Sequence, residues 1–256
     1  MSPGALRAAA AAVVVLALAG CVTMKQSKLL APSWFGMEQI GPRVWVAKDV
    51  PSSERRALLE AYDAARPFVA AMFGSIVTAP TVYGCAVREC IETFGGTGDG
   101  TAAREVTPAI LLWTRSFIPS ALAHEWSHLE LLTRLGDSAR GVPMWFHEGL
   151  GDATGGDMPR HSEALYQEAV ASGVPIPTLD ELRLLKQWGP AHQKYANPKV
   201  NLPYTTAAHE VRRWLQRVGR AGLLELIEAR KSGEPFDTAY RRIEERAAAP
   251  RKGSGN

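Results

Sequence analysis

The sequence predicts an α+β protein, with a small mixed sheet in its N-terminal half and a mainly helical C-terminal half. Two observations carry this. Three short runs rich in β-branched, aromatic and aliphatic residues, Val44–Val46, Thr81–Tyr83 and Ala109–Trp113, all precede residue 117, and runs this short suit strands better than helices. From Pro119 onward the apolar residues recur instead at three- and four-residue spacing, the pattern of helices that bury one face. A chain of 256 residues, 46% of them hydrophobic, holds enough apolar material for one substantial core or for two lobes sharing a cleft.

The first twenty residues are set apart from the fold. Arg7 supplies a positive start, and Ala8–Gly20 is a run of thirteen small and apolar residues. At 1.5 Å rise per residue such a run spans roughly 20 Å, short of the ~30 Å hydrocarbon core, so an export signal is expected rather than a permanent span. Leu18-Ala19-Gly20-Cys21 resembles the bacterial lipobox, which implies cleavage before Cys21 and lipid on that cysteine. The alternative is an ordinary signal peptide that ends near a cysteine. The expected organisation is a signal over 1–20, a polar tether over 21–33, one domain over 34–248, and a disordered tail over 249–256.

Within the domain, Val44–Val46 opens the sheet. Pro51–Phe73 carries Leu58, Leu59, Tyr62, Ala65, Val69 and Met72 at helical spacing and stops at Gly74, while Pro67 inside it predicts a kink or a break. Thr81–Tyr83 is a second strand, followed by a turn or short helix that contains Cys85 and Cys90 and ends near Phe94. In an exported chain this even pair suggests a local disulfide, with two buried thiols as the alternative. Gly95–Gly100 reads as a flexible loop and lacks the Lys-Ser/Thr that a phosphate cradle requires. Ala109–Trp113 is the strongest strand, at an edge or buried in the centre.

Pro119 fits the first turn of the next helix, with Ser116 as a possible cap and Gly136 as the stop. A second helix runs from Pro143 to about Ala153. Further helices are expected over His161–Ala171, Leu179–Trp188, Tyr204–Val218, Leu223–Lys231 and Phe236–Ala248, with His192 and Tyr195 in a loop-like stretch. Trp126, Trp145 and Phe146 read as core, Asp157 as a helix cap or cleft-lining residue, and Arg115 and Arg134 as solvated helix-end charges. The formal charge is +3 and the basic residues are scattered, so a nucleic-acid partner has little support.

The chemistry lies in His124-Glu125-Trp126-Ser127-His128. Residues four apart on a helix differ by about 40° net and about 6 Å of rise, so both imidazoles project from one face and can converge on one metal. Glu125 is turned by about 100° from His124 and can reach a water beside the metal without being a ligand, as in helix-borne zinc motifs whose Glu is the general base. Glu148 and Asp152 repeat the four-residue spacing on the second helix. One carboxylate can then bind metal while the other accepts a proton from the far nitrogen of a ligand His.

Together these residues resemble the gluzincin metallopeptidases, in which a His-Glu-x-x-His helix is followed by a helix carrying Glu-x-x-x-Asp. The resemblance covers roughly residues 80–157 and includes the Pro143-Met144-Trp145-Phe146-His147-Glu148-Gly149 lead-in, similar to bacterial peptidase-like lipoproteins. It implies a zincin-like fold, with His124, His128 and Glu148 holding one Zn2+, Glu125 as base, and Asp152 as partner of a ligand His. It also implies an extended peptide bound along a strand edge, for which Ala109–Trp113 is the candidate. An oxyanion donor is expected from a helix beyond Glu148, with Tyr204 first and His209 second. His147 competes with Glu148 for the ligand role, but the Glu148–Asp152 pair favours Glu148 and leaves His147 lining the cleft or facing solvent.

The expected function is a zinc peptidase of the bacterial cell envelope, anchored to a membrane through Cys21 and acting on a peptide or protein. A catalytically silent zincin-fold lipoprotein that serves as a binding or scaffolding module is the alternative, and hydrolysis of a non-peptide amide in cell-wall material is a third possibility.

Overall fold

The computed structural model describes residues 25, 27–96, 100–103, 108–156 and 158–249, with backbone alone at 100–103. The export signal, residues 21–24 and 26 of the tether, Asp157 and the tail beyond Ala249 lie outside the described residues. The chain is α+β, as expected, and divides into two compact units. The division falls within a single helix, α1, which spans Ser52–Phe73.

The first unit ends at Tyr62 and resumes over Ala79–Ile118. It holds five strands: β1 Met37–Gly41, β2 Val44–Ala47, β3 Thr81–Cys85, β4 Gly100–Ala103 and β5 Ala109–Trp113. Their order across the sheet is β1-β2-β3-β5-β4, and β3 runs parallel to both its neighbours while the outer pairs are antiparallel. The sheet is therefore mixed. β5 is flanked on both sides, so Ala109–Trp113 is an internal strand and the edge beside it is β4. Its near-continuous burial, from Ala109 to Leu112, is what two-sided cover requires. Cys85 at the end of β3 and Cys90 in helix α2, Arg88–Thr93, are joined by a disulfide.

The second unit comprises Asp63–Thr78 and the chain from Pro119 onward. Its helices are α3 Pro119–Leu135, α4 Met144–Gly155, α5 Glu163–Ala171, α6 Leu185–Lys194, α7 Leu202–Lys231 and α8 Phe236–Ala248. Pro119 is the first residue of α3, but Ser116 lies in a 3-10 turn ahead of it and does not cap it. The stretch expected as one helix over Leu179–Trp188 is instead a short 3-10 turn, Asp180–Leu182, followed by α6, so His192 is helical and Tyr195 closes the helix. α7 departs from helical geometry at Gly219, at φ 64° and ψ −175°, which separates the two helices read from the sequence. α1 runs across Pro67 without a break, flanked by the buried Ala65 and Val69.

The core of this unit is aromatic. Phe146 meets Phe236 at 5.0 Å and Trp214 at 6.0 Å between ring centroids, and Trp145 meets Tyr240 at 5.6 Å. These contacts are mostly edge-to-face, the arrangement ring quadrupoles favour. They fix α4 against α7 and α8, which is what holds Glu148 in place.

Candidate metal centre

Three helices of the second unit build the site. α3 supplies His124 and His128, α4 supplies Glu148 and Asp152, and the first turn of α7 brings Tyr204 alongside. Glu148 Oε2 lies 3.2 Å from His124 Nε2 and 3.7 Å from His128 Nε2. One ligand atom from each of the three residues falls within 4.8 Å of the others. Ligands about 2.0–2.2 Å from a tetrahedral zinc sit roughly 3.3–3.6 Å apart, so the two Glu148–imidazole separations are close to a metal-sized gap. His124, His128 and Glu148 thus form a largely buried His-His-Glu group that could hold a metal ion.

Asp152 acts on the other side of His124. Its Oδ1 lies 2.8 Å from His124 Nδ1, while Glu148 faces Nε2 of the same ring. An imidazole that donates Nδ1–H to Asp152 presents the Nε2 lone pair to a cation, so the carboxylate selects the tautomer a metal needs. Asp152 is fully buried, and its Oδ2 has no hydrogen-bond partner among the described residues, although His161 Nδ1 stands 3.3 Å away. His161 was not singled out by the sequence. It follows α4 by a loop, and only the fold turns it back toward Asp152.

The charges are strongly coupled. Burial opposes ionisation of Glu148, but the positive field of His128 and the hydrogen bonds from both imidazoles outweigh it and hold the carboxyl well below its usual range. Asp152 is lowered in the same way: burial works against it, and pairing with His124 and His161 prevails. Burial pulls His124 down, yet Asp152 and Glu148 together push it well above an ordinary imidazole. A group of two anions around this imidazole accepts a cation, whether a proton or a metal. His147 behaves oppositely: burial and the charge of His128 lower it to about 4, so it is neutral across the physiological range.

His124 fits between Glu148 and Asp152 only because residue 151 is glycine. A Cβ at Gly151 would fall 2.7 Å from His124 Cε1 and Nδ1. A Cβ at Gly149 would fall 2.3 Å from the carbonyl oxygen of Ala207, where α4 meets α7. The ligand-bearing helix is therefore thin on the two faces that matter. Arg212 on α7 also donates to the carbonyls of Asp152 and Gly156, at 3.2 and 3.0 Å, and fastens the end of α4.

Glu125 follows His124 on α3 and is half-buried. Tyr204 lies 6.3 Å from His124 between ring centroids and stacks on His161 at 4.7 Å, with Trp188 and His192 at 5.0 and 5.6 Å. His209 is drawn elsewhere: it pairs with Glu163 at 2.8 Å and stacks on Tyr166. His147 approaches His128, at 6.3 Å, but is not one of the three converging residues. Trp126 is core, as expected, and donates to Thr78 Oγ1. Arg134 is not a solvated charge, because it pairs with the buried Glu130 and donates to the Ser75 carbonyl. No family model matches the chain, and no curated protein matches it either.

Proposed function

We propose that this protein is a zinc-dependent peptidase of the gluzincin kind, with a zincin-like fold, lipid-anchored through Cys21 in the bacterial cell envelope. The observation that carries the reading is the convergence of His124, His128 and Glu148 with Asp152 fixed on the far nitrogen of His124. Two neutral imidazoles and a carboxylate are the donor set of hydrolytic zinc sites, and three protein ligands leave a fourth position open. The metal would supply a Lewis acid that polarises a peptide carbonyl and acidifies water.

The chain's own groups do the rest. Glu125, one residue along α3 from His124, takes a proton from the attacking water and returns it to the leaving amine. Asp152 keeps His124 in one tautomer throughout. Tyr204 is the candidate donor to the oxygen that gains negative charge, since its ring stands beside His124.

Glu125→Gln is the test. A positioned acid–base group contributes about 10²–10⁴-fold in rate. The variant is expected to retain one equivalent of zinc while losing cleavage of a broad peptide library by at least about 100-fold. Cleavage at the parent rate by Glu125→Gln would refute the mechanism.

A further inference from the structure

The first unit displays an apolar tip that its own fold does not use. Leu30 is 67% exposed, Trp34 85% and Phe35 41%. This is not a frayed end. Leu29 and Pro32, interleaved with the exposed residues, are buried. Tyr83 on β3 donates to the Leu29 carbonyl at 3.0 Å, and Phe35 rests edge-on against Phe94 at 6.3 Å. The segment is pinned on its inner side and presents Leu30 and Trp34 outward. Lys28 lies over the Phe35 ring, Lys25 is exposed three residues before it, and the exposed Lys48 lines a pocket together with Phe35 and Asp49.

We propose that Leu30–Phe35 docks on the bilayer interface, with Trp34 and Leu30 at headgroup level and the lysines facing anionic lipid. This rests on the lipid-anchor part of the function proposed above and is independent of the peptidase chemistry. Three arguments select a lipid surface as the occupant. Tryptophan is the residue best suited to a boundary where one side is apolar and the other wet. Lysines beside such a ring add attraction to anionic headgroups. Only seven residue steps lead from Cys21 to Lys28, and at about 3.3–3.6 Å per step they reach no farther than roughly 25 Å. A lipid on Cys21 therefore keeps this tip beside the membrane whatever path the tether takes.

The test uses the mature full chain, purified from membranes and reconstituted into phosphatidylethanolamine–phosphatidylglycerol vesicles with brominated acyl chains, which quench tryptophan on contact. The chain has seven tryptophans, so a docked Trp34 should make the parent lose about one-seventh more of its emission than Trp34→Phe. Replacing the anionic lipid with phosphatidylcholine should reduce that difference. Equal quenching in parent and Trp34→Phe would overturn the proposal. So would a dimer in detergent that Trp34→Asp converts to monomer without any vesicle quenching of Trp34, because a second copy would then be the occupant. Intact mass on the same sample reports whether Cys21 carries lipid. A missing anchor is thereby distinguished from a tip that does not dock, and neither outcome depends on peptide cleavage.

Discussion

Two glutamates are buried in the helical unit, and the surroundings treat them in opposite ways. Glu130, with no exposed side-chain surface, is saturated by the connection that follows α1: its Oε1 accepts from the Val77 and Thr78 amides at 2.9 and 2.7 Å and from the Thr78 hydroxyl, and Arg134 donates to Oε2 at 3.1 Å. Glu148, almost as buried, is met by two imidazoles. A buried carboxylate ringed by amides and a guanidinium has its charge neutralised permanently and serves as a brace. One facing two imidazoles, one of which turns its other nitrogen to a second carboxylate, has a standing use for a cation. Burial and charge alone do not separate structural acids from functional ones; the nature of the partners does.

Exchanging the two roles gives the largest expected effects. Loss of a residue supporting a ligand costs 10–100-fold in metal affinity, so Glu148→Gln, which removes one of the three proposed ligands, should weaken zinc binding by more than about 100-fold. Zinc titration against a competing chelator reads this directly. Glu130→Gln should do the reverse, leaving zinc affinity within a few-fold while lowering unfolding stability by about 3 kcal/mol, because Arg134 loses its buried partner. If both variants lost metal equally, the distinction between brace and ligand would fail.

Gly151→Ala sharpens the same contrast without touching a charge. The added methyl collides with His124, so zinc affinity should fall by about 10–100-fold and stability by about 1–3 kcal/mol. Gly136→Ala, where a Cβ has open space but φ is +56°, should affect stability alone.

The smallest effect concerns acid. His147 is held near pKa 4 in the folded chain and returns to about 6.5 when unfolded. The unfolded state therefore binds the extra proton first as pH falls, so this residue is neutral in effect above about pH 6.5 and destabilises progressively between about 6.5 and 4. At pH 5 the metal-free protein should lose about 1–2 kcal/mol through His147. His147→Asn should flatten that part of the stability–pH curve, as measured by urea unfolding at pH 7 and pH 5.

The parts of the site that could be read in the sequence are those set by helix arithmetic. His124 and His128 on α3, and Glu148 and Asp152 on α4, lie at four-residue spacing, which dictates the face each pair shares and turns Glu125 aside from it. The brace around Glu130 was not readable, because the Val77 and Thr78 amides lie more than fifty residues away along the chain, and backbone amides carry no sequence signature. His161 was missed for a related reason: a loop, not a periodicity, returns it to Asp152. β2, β3 and β5 were found, but β1 and β4 were not, and neither was the order of the sheet. Hydrophobicity cannot distinguish an internal strand from an edge whose neighbour is the weakly patterned Gly100–Ala103.

The glycines of α4 have a consequence for how the site comes into being. Gly149, Gly151 and Gly155 occupy three of its twelve positions, and each costs about 1 kcal/mol of intrinsic helicity relative to alanine. Such a segment has little tendency to coil by itself; it does so when α3 and α7 close around it. The ligand constellation is therefore assembled in the same cooperative step that completes the helical unit, rather than being waiting beforehand. A cation captured there draws the folding equilibrium toward the native state, by the same free energy with which it is bound.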